Sequence, residues 1–542
     1  MTTLPAARVT RALLAASTAV VFAAACAERA ADDHSDHEHP AGDSAGLGHV
    51  AFAVTCAPEV RARFESGVAM LHSFWFSAAD SAFRGIAAAD STCAMAHWGV
   101  AIAAMGNPMA RNAPSAAQFA EGRAAAERAR ALAGNASHRE QMYIDAAIAY
   151  YGAESSDHAA RMRLHEQAFD SLRRAHSDDM EASIFYARTV VANASPSDQT
   201  FAQQIRAAEI LQPLFDRHPD HPGLAHYLIH AYDAPALAAR AANAAKAYAG
   251  IAPSAPHALH MPSHIFTRVG QWQESIETNA RSARAEPDSN GAVHPMDYMV
   301  YAYLQQGRDA QAKAVVDRAV QQPSRFYGGL MGYNFAAMPA RFALERGAWG
   351  EAATLKVPVE APPYVEAVTR FARALGAARS GRASAAAPDI KALGDLKAGL
   401  EKAGDKYWST IVEAQRLAAS AWVAQARGDT AGALALAGQA ADLEETVEKH
   451  PVTPGPILPA RELEGDLFMA IGRHADALAA YEKTLQREPR RARTLFGAAR
   501  AAELAGNATT ARARYTELMD VMAEADSTRT EPAAARKYLG GS

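Results

Sequence analysis

Apolar residues recur three and four positions apart along nearly the whole chain after residue 50, and strict apolar–polar alternation is absent. That spacing gives a helix one continuous apolar face, whereas a half-buried strand would alternate. The stretches AAQFAEGRAAAERARALA, SHREQMYIDAAIAYYG and DHAARMRLHEQAFDSLRRAH each read as a helix, with Asn135 and Asp157 as candidate N-caps. The pattern also repeats. Pro222 and Pro256 open two similar stretches 34 residues apart, PGLAHYLIHAYDAP and PHALHMPSHIFTRVGQW, and AVHPMDYMVYAYLQQG opens a third. A unit starting at Pro256 places Gly270 in a turn, Ser275 at a close helix contact and Pro287 at its end. The unit at Pro222 has Ala241 and Pro253 in those slots, with Pro235 at the turn. The unit at Val293 has Gly307 and Ala312. Small residues let two helices approach closely, and proline ends a helix because it has no N–H to donate.

A period of 34 residues with these landmarks is that of the tetratricopeptide helix–turn–helix unit, which cannot bury its apolar face alone and stacks on its neighbours. The predicted class is therefore all-α, a tetratricopeptide-repeat superhelix: a right-handed α-solenoid of antiparallel helix pairs over about 58–520. The register also sorts the histidines. Places two, five and nine of a first helix share one face, and in such arrays that face lines the concave groove. His257, His260 and His264 take those places in one unit, and His226 and His230 take five and nine in the unit before. His294, Asp297 and Tyr301 take them in the unit after. First helices of stacked units pack about 8–10 Å apart, so imidazoles from neighbouring units can meet. His138, His158, His165 and His176 fall on polar faces or near helix ends and read as surface residues.

Composition agrees with close helix packing. The 542 residues are 49% hydrophobic but only 8% aromatic, so alanine, the best helix former, carries much of the apolar surface. A net charge of −5 argues against a nucleic-acid partner held through phosphates. Residues 1–25 have the form of a secretion signal: Arg8 and Arg11 precede an apolar run from Leu13 to Ala25 that is too short to span a bilayer as a mature helix. Residues 26–49 read as a polar tether, in which His34, His37 and His39 lie among acidic residues. Three cysteines occur, Cys26, Cys56 and Cys93. The last two flank the first helical hairpin and, in an oxidising compartment, pair as a disulfide; two free thiols or a thiolate metal site are the alternatives.

The array reads onward as N-terminal repeats at 50–221, the histidine-lined units at 222–350, degenerate repeats at 351–450, and C-terminal units with a cap at 451–542. YNFAAMPARFALERGAWGEAATL has Gly347 in the turn and Ala352 at the small place, PVTPGPILP (451–459) is an extended proline-rich crossing, and PARELEGDLFMAIGRHADALAAYEKTLQREP places Gly465, Gly472, Ala477, Tyr481 and Pro489 in register. Glu462 and Asp466 occupy groove-facing places there and read as solvated carboxylates. Taken together, the chain resembles bacterial secreted tetratricopeptide-repeat proteins, and its LHSFWF, CAMAHWG, HYLIHAYD and HALHMPSHIF segments resemble a subgroup of bacterial proteins with this architecture. Ala23-Ala24-Ala25-Cys26 resembles a lipobox, with Ala23 where leucine is usual. These resemblances imply a superhelix that binds through its concave face, acylation of Cys26, and a place in the bacterial cell envelope outside the cytoplasm, with membrane contact only through the lipid.

Three functions follow. The groove of His226, His230, Asp233, His257, His260, His264, His294, Asp297 and Tyr301 binds a peptide, a protein or a metal-dependent ligand. Alternatively, His226 with His230 and His260 with His264, each pair one helical turn apart, bind a divalent transition metal, zinc or copper, with Asp233 or Asp297 orienting an imidazole from behind. The third function is a metalloenzyme whose ion keeps an open position. No glycine-rich phosphate loop, H-E-x-x-H helix or G-x-S-x-G elbow occurs.

Overall fold

The computed structural model describes residues 46–153, 157–286, 290–322 and 325–540. The signal segment, Cys26, the tether histidines and Pro287 lie outside the described residues. Those described form helices joined by short turns, with no strand among them. The repeats are antiparallel helix pairs of the tetratricopeptide kind. Their turns are made by glycines in the left-handed region: Gly270, Gly307, Gly347 and Gly472 have φ between 66° and 77°, a conformation that costs other residues energy. The positions read as close helix contacts, Ala241, Ser275, Ala312, Ala352 and Ala477, are all buried.

Aromatic rings of second helices key into the first helices at glycine. A Cβ on Gly99 would stand 2.3 Å from the Phe83 ring, and one on Gly497 would stand 2.6 Å from Tyr481, so these rings fit only where the partner has no side chain. Asp157 caps the helix His158–Ala175, but Ser137, not Asn135, caps His138–Tyr151, sharing a capping box with Glu140. The helix predicted from Pro256 onward is two, Pro256–His260 and Pro262–Arg268, because Pro262 has no N–H to continue the first. Leu47 is already buried, ahead of the start read at Val50. The His49 N–H donates to the Asp220 carbonyl at 3.1 Å.

Two chain segments close onto the central repeats. The strap 447–459, read from sequence as an extended crossing, is instead a run of turns and bends, with the Thr453 N–H donating to the His450 carbonyl at 3.1 Å, and it lies against the first helices of the histidine-lined units. Asn334 Nδ2 donates to the Val452 carbonyl at 2.8 Å, Tyr298 donates to the Thr453 carbonyl at 3.2 Å, and the Arg341 guanidinium donates to the carbonyls of Gly455 and Pro456, each at 2.6 Å. Carbonyls outside a regular helix have no ladder of partners, so these side chains take the place of water. Behind the strap the C-terminal repeats pack back on the central ones: the Trp272 Nε1–H donates to the Arg490 carbonyl, and buried Arg491 bridges Glu345 and Glu462.

Arg341 is fully buried, and its charge is met by Asp297, also fully buried, at 3.1 Å. Removing one member of such a pair leaves an unpaired charge in the interior. Arg341→Met is expected to lower unfolding free energy by about 3–5 kcal/mol, read as a lower urea midpoint. The double variant Arg341→Met, Asp297→Leu is expected to recover much of that loss, and an unchanged midpoint in the single variant would contradict this anchoring role.

Candidate metal centre

The helix Pro222–Tyr232 carries His226 and His230 one turn apart, so both rings leave the same face. His257 reaches them from the short helix Pro256–His260. The three Nε2 atoms converge: His226 to His230 is 3.1 Å, and His226 to His257 is 3.2 Å. A second set forms beside the first. His260 and His264 Nε2 are 3.0 Å apart across the Pro262 break, and the His294 ring centre lies 4.4 Å from that of His260. In each set the three nitrogens lie within 4.8 Å of one another. All six histidines read from the register therefore come together, in two triads that cross the unit boundaries. His257 and His294 complete sets that sequence pairing gave only two members each.

Protons decide what these contacts are. His226 Nδ1 lies 2.6 Å from the His72 carbonyl, which can only accept, so Nδ1 carries the proton. His264 Nδ1 lies 2.8 Å from an Asp233 carboxylate oxygen and is likewise the donor. His260 Nδ1 lies 2.6 Å from Asn279 Oδ1, and that oxygen is identified because Asn279 Nδ2 donates to the Ser275 carbonyl at 2.7 Å. A neutral imidazole with its proton on Nδ1 has a bare lone pair at Nε2. His260 and His264 thus aim two lone pairs at each other over 3.0 Å. Two ligands held at about 2.0–2.1 Å from one tetrahedral ion stand roughly 3.3 Å apart, so the spacing suits a shared cation.

Burial keeps all six rings neutral. It is the leading cause holding His226, His230, His257, His260 and His294 well below the ordinary histidine range, and their crowding adds to it. Burial lowers His264 too, against the pull of Asp233. Asp233 itself stays well below the usual carboxylate range. Burial acts to raise it, but Lys449 at 3.0 Å and Arg268 at 2.9 Å outweigh that, together with His264. Phe74 packs on the first triad with ring centres 4.4 Å from His226 and 5.3 Å from His257, and Tyr298 packs on the second.

Two other groups have ligand-type residues in proximity but a different proton arrangement. His221 Nδ1 accepts the Leu224 N–H, so its Nε2–H donates to Glu181 at 2.8 Å. His72 Nε2 meets the other Glu181 oxygen at 2.8 Å, and its Nδ1 meets the Tyr227 hydroxyl at 3.0 Å. Every polar atom there has a complementary partner, and a cation has no vacancy to fill. Cys56 and Cys93 are joined in a disulfide.

Not every residue read from sequence joins the centre. Asp233 supports His264, but Asp297 is turned away onto Arg341 and Asn334. Tyr301 packs against Trp272 and Arg491. Glu462 and Asp466 are paired with arginines in the interior, not solvated. His165, read as a surface residue, is fully buried and donates to the Ala146 carbonyl at 2.7 Å. The residues missed are Asn279, Lys449 and the His72–Phe74 turn, all distant in sequence or outside the groove-facing places.

No family model matches the chain, and no curated protein is found to match it. Among solved structures, one titled "Structure of Naa15/Naa10 bound to HypK-THB" is similar over 89% of this chain and 73% of that chain, at 11% identity and a TM-score of 0.24. So low a score leaves the reading of this site to its own geometry.

The neutral rings set a pH dependence. Burial also pushes His165 and His450 down to about 3. In the unfolded chain all these histidines protonate below about 6.5, so the unfolded state binds more protons there and stability falls as pH drops through that value. Each uncompensated proton contributes about 1.4 kcal/mol per pH unit. In the presence of a chelator the melting temperature is expected to fall steadily from pH 7 to pH 5; a flat profile would contradict neutral buried rings.

Proposed function

We propose that this chain is a helical-repeat protein that binds transition-metal ions between its central units. The observation that carries this reading is the pair of facing lone pairs on His260 and His264, imposed by Asn279 and Asp233. Without a cation, two bare nitrogens at that distance repel. With one, each becomes a ligand, and the acceptors behind the rings fix their tautomer and raise their basicity. An all-imidazole donor set suits zinc, copper, iron or nickel. Three protein ligands leave one coordination position open, which supports a bound small molecule.

The face beside the histidines already carries the strap 447–459, so a peptide ligand there would have to displace a segment held by Arg341, Asn334 and Tyr298. Metal binding needs no displacement. The envelope location proposed for the protein is supported by the short apolar run before Cys26. Among the described residues no helix is long and apolar enough to cross a membrane.

Elemental analysis of protein purified without a histidine tag tests the reading. Bound transition metal is expected in the unaltered protein and is expected to be lost in His230→Ala, His260→Ala, with helical circular dichroism retained. Asn279→Leu keeps all six ligands but removes the acceptor behind His260, and is expected to weaken affinity about 10–100-fold. Unaltered protein that takes up no transition metal from solution would overturn the proposal.

A further inference from the structure

The two triads are neighbours. The ring centres of His230 and His264 are 6.1 Å apart, and so are those of His257 and His260. An ion in each triad would stand close enough to its companion to share one small ligand, as paired metals do at about 3.5–4 Å.

Charge narrows the choice of ion. The six donors are neutral, and no carboxylate joins either triad. Asp233 is committed to Lys449, Arg268 and His264, and Asp297 to Arg341. Two divalent ions would bring four positive charges into an interior where Asp233 and Glu448 already serve to balance Lys449 and Arg268, so an anion would have to come in with them. Buried charge without a counter-charge is costly. Copper suits imidazole donors and stands at the top of the affinity order among divalent first-row ions, and as Cu(I) it brings only one charge per ion.

Of the six histidines, His230 borders a cavity of about 60 Å³, walled by Met109, Gln204, Asp233, Lys449 and Pro451. That volume admits a diatomic molecule or a few waters, and Phe74 and Tyr298 pack on the triads away from it.

Resting on the metal-binding reading above, we propose that the two triads hold a pair of copper ions that together bind one molecule of dioxygen. The electrons balance within the pair. Each Cu(I) gives one electron and becomes Cu(II). Dioxygen takes both, its double bond becomes a single bond, and the resulting peroxide bridges the two ions without a proton being moved.

The test uses full-length protein without a histidine tag, stripped with chelator and reloaded with Cu(I) salt in the absence of air. Two copper ions per chain are expected. Admitting air should consume one dioxygen per two copper ions, and the oxidised protein should give no paramagnetic resonance signal, because two bridged Cu(II) spins cancel. His257→Ala and His294→Ala, one from each triad, should each bind a single copper and take up no dioxygen, with helical content unchanged; should either fail to fold, copper count and resonance silence in the unaltered protein decide alone. One copper per chain, two coppers with the signal of isolated Cu(II), or zinc that copper does not replace would overturn the copper pair while leaving metal binding intact. Protein that binds neither copper nor zinc would overturn both.

Discussion

An imidazole whose Nδ1 proton is already donated can offer only a lone pair at Nε2, and the centre depends on that constraint. The His72 carbonyl, Asn279 and Asp233 each accept a hydrogen bond from the Nδ1–H of one of the six histidines. Were Asn279 or Asp233 absent, one ring of the His260–His264 pair could turn its N–H toward the other, and the contact would be an ordinary neutral hydrogen bond. The His72–Glu181–His221 group shows that alternative a short distance away, with each nitrogen matched to a partner of opposite kind. Proximity of histidines does not distinguish the two cases. The identity of the atom behind each ring does.

The fold supplies those atoms from far apart in the chain. Asn279 sits on the second helix of a repeat, where it faces the His260 of its own first helix. The His72 carbonyl comes from the N-terminal hairpin packed on the helix Pro222–Tyr232. Lys449 comes from the strap and fixes the charge of Asp233. Alanine-rich interfaces and glycine–ring contacts hold the repeats in register, and the buried Arg341–Asp297 pair holds the strap against them. The strap therefore links the stability of the stack to the electrostatics of the centre.

Much of this was legible in the sequence, because a helical repeat converts linear spacing into facing side chains. The 34-residue period, its turn glycines and the places of the six histidines are all written in the spacing of residues along the chain. The register says which face a residue occupies, not what comes to meet it. Asp297 and Tyr301 occupy groove-facing places as His294 does, yet Arg341 and Arg491 claim them. Asp233 was readable because it follows His230 by three residues, while Asn279 and Lys449 carried no local signal. The burial of His165, Glu462 and Asp466 was missed for the same reason: their arginine, tyrosine and carbonyl partners come from neighbouring helices that spacing alone does not identify.

Anomalous diffraction from crystals of tag-free protein, recorded at the absorption edge of the metal found in it, addresses the centre most directly. A peak is expected at about 2.0–2.1 Å from the Nε2 atoms of both His260 and His264, with their Nδ1 atoms still on Asn279 and Asp233. No peak there in metal-supplemented crystals, with one of the two rings turned so that an N–H faces the other, would contradict the constraint on which the centre depends.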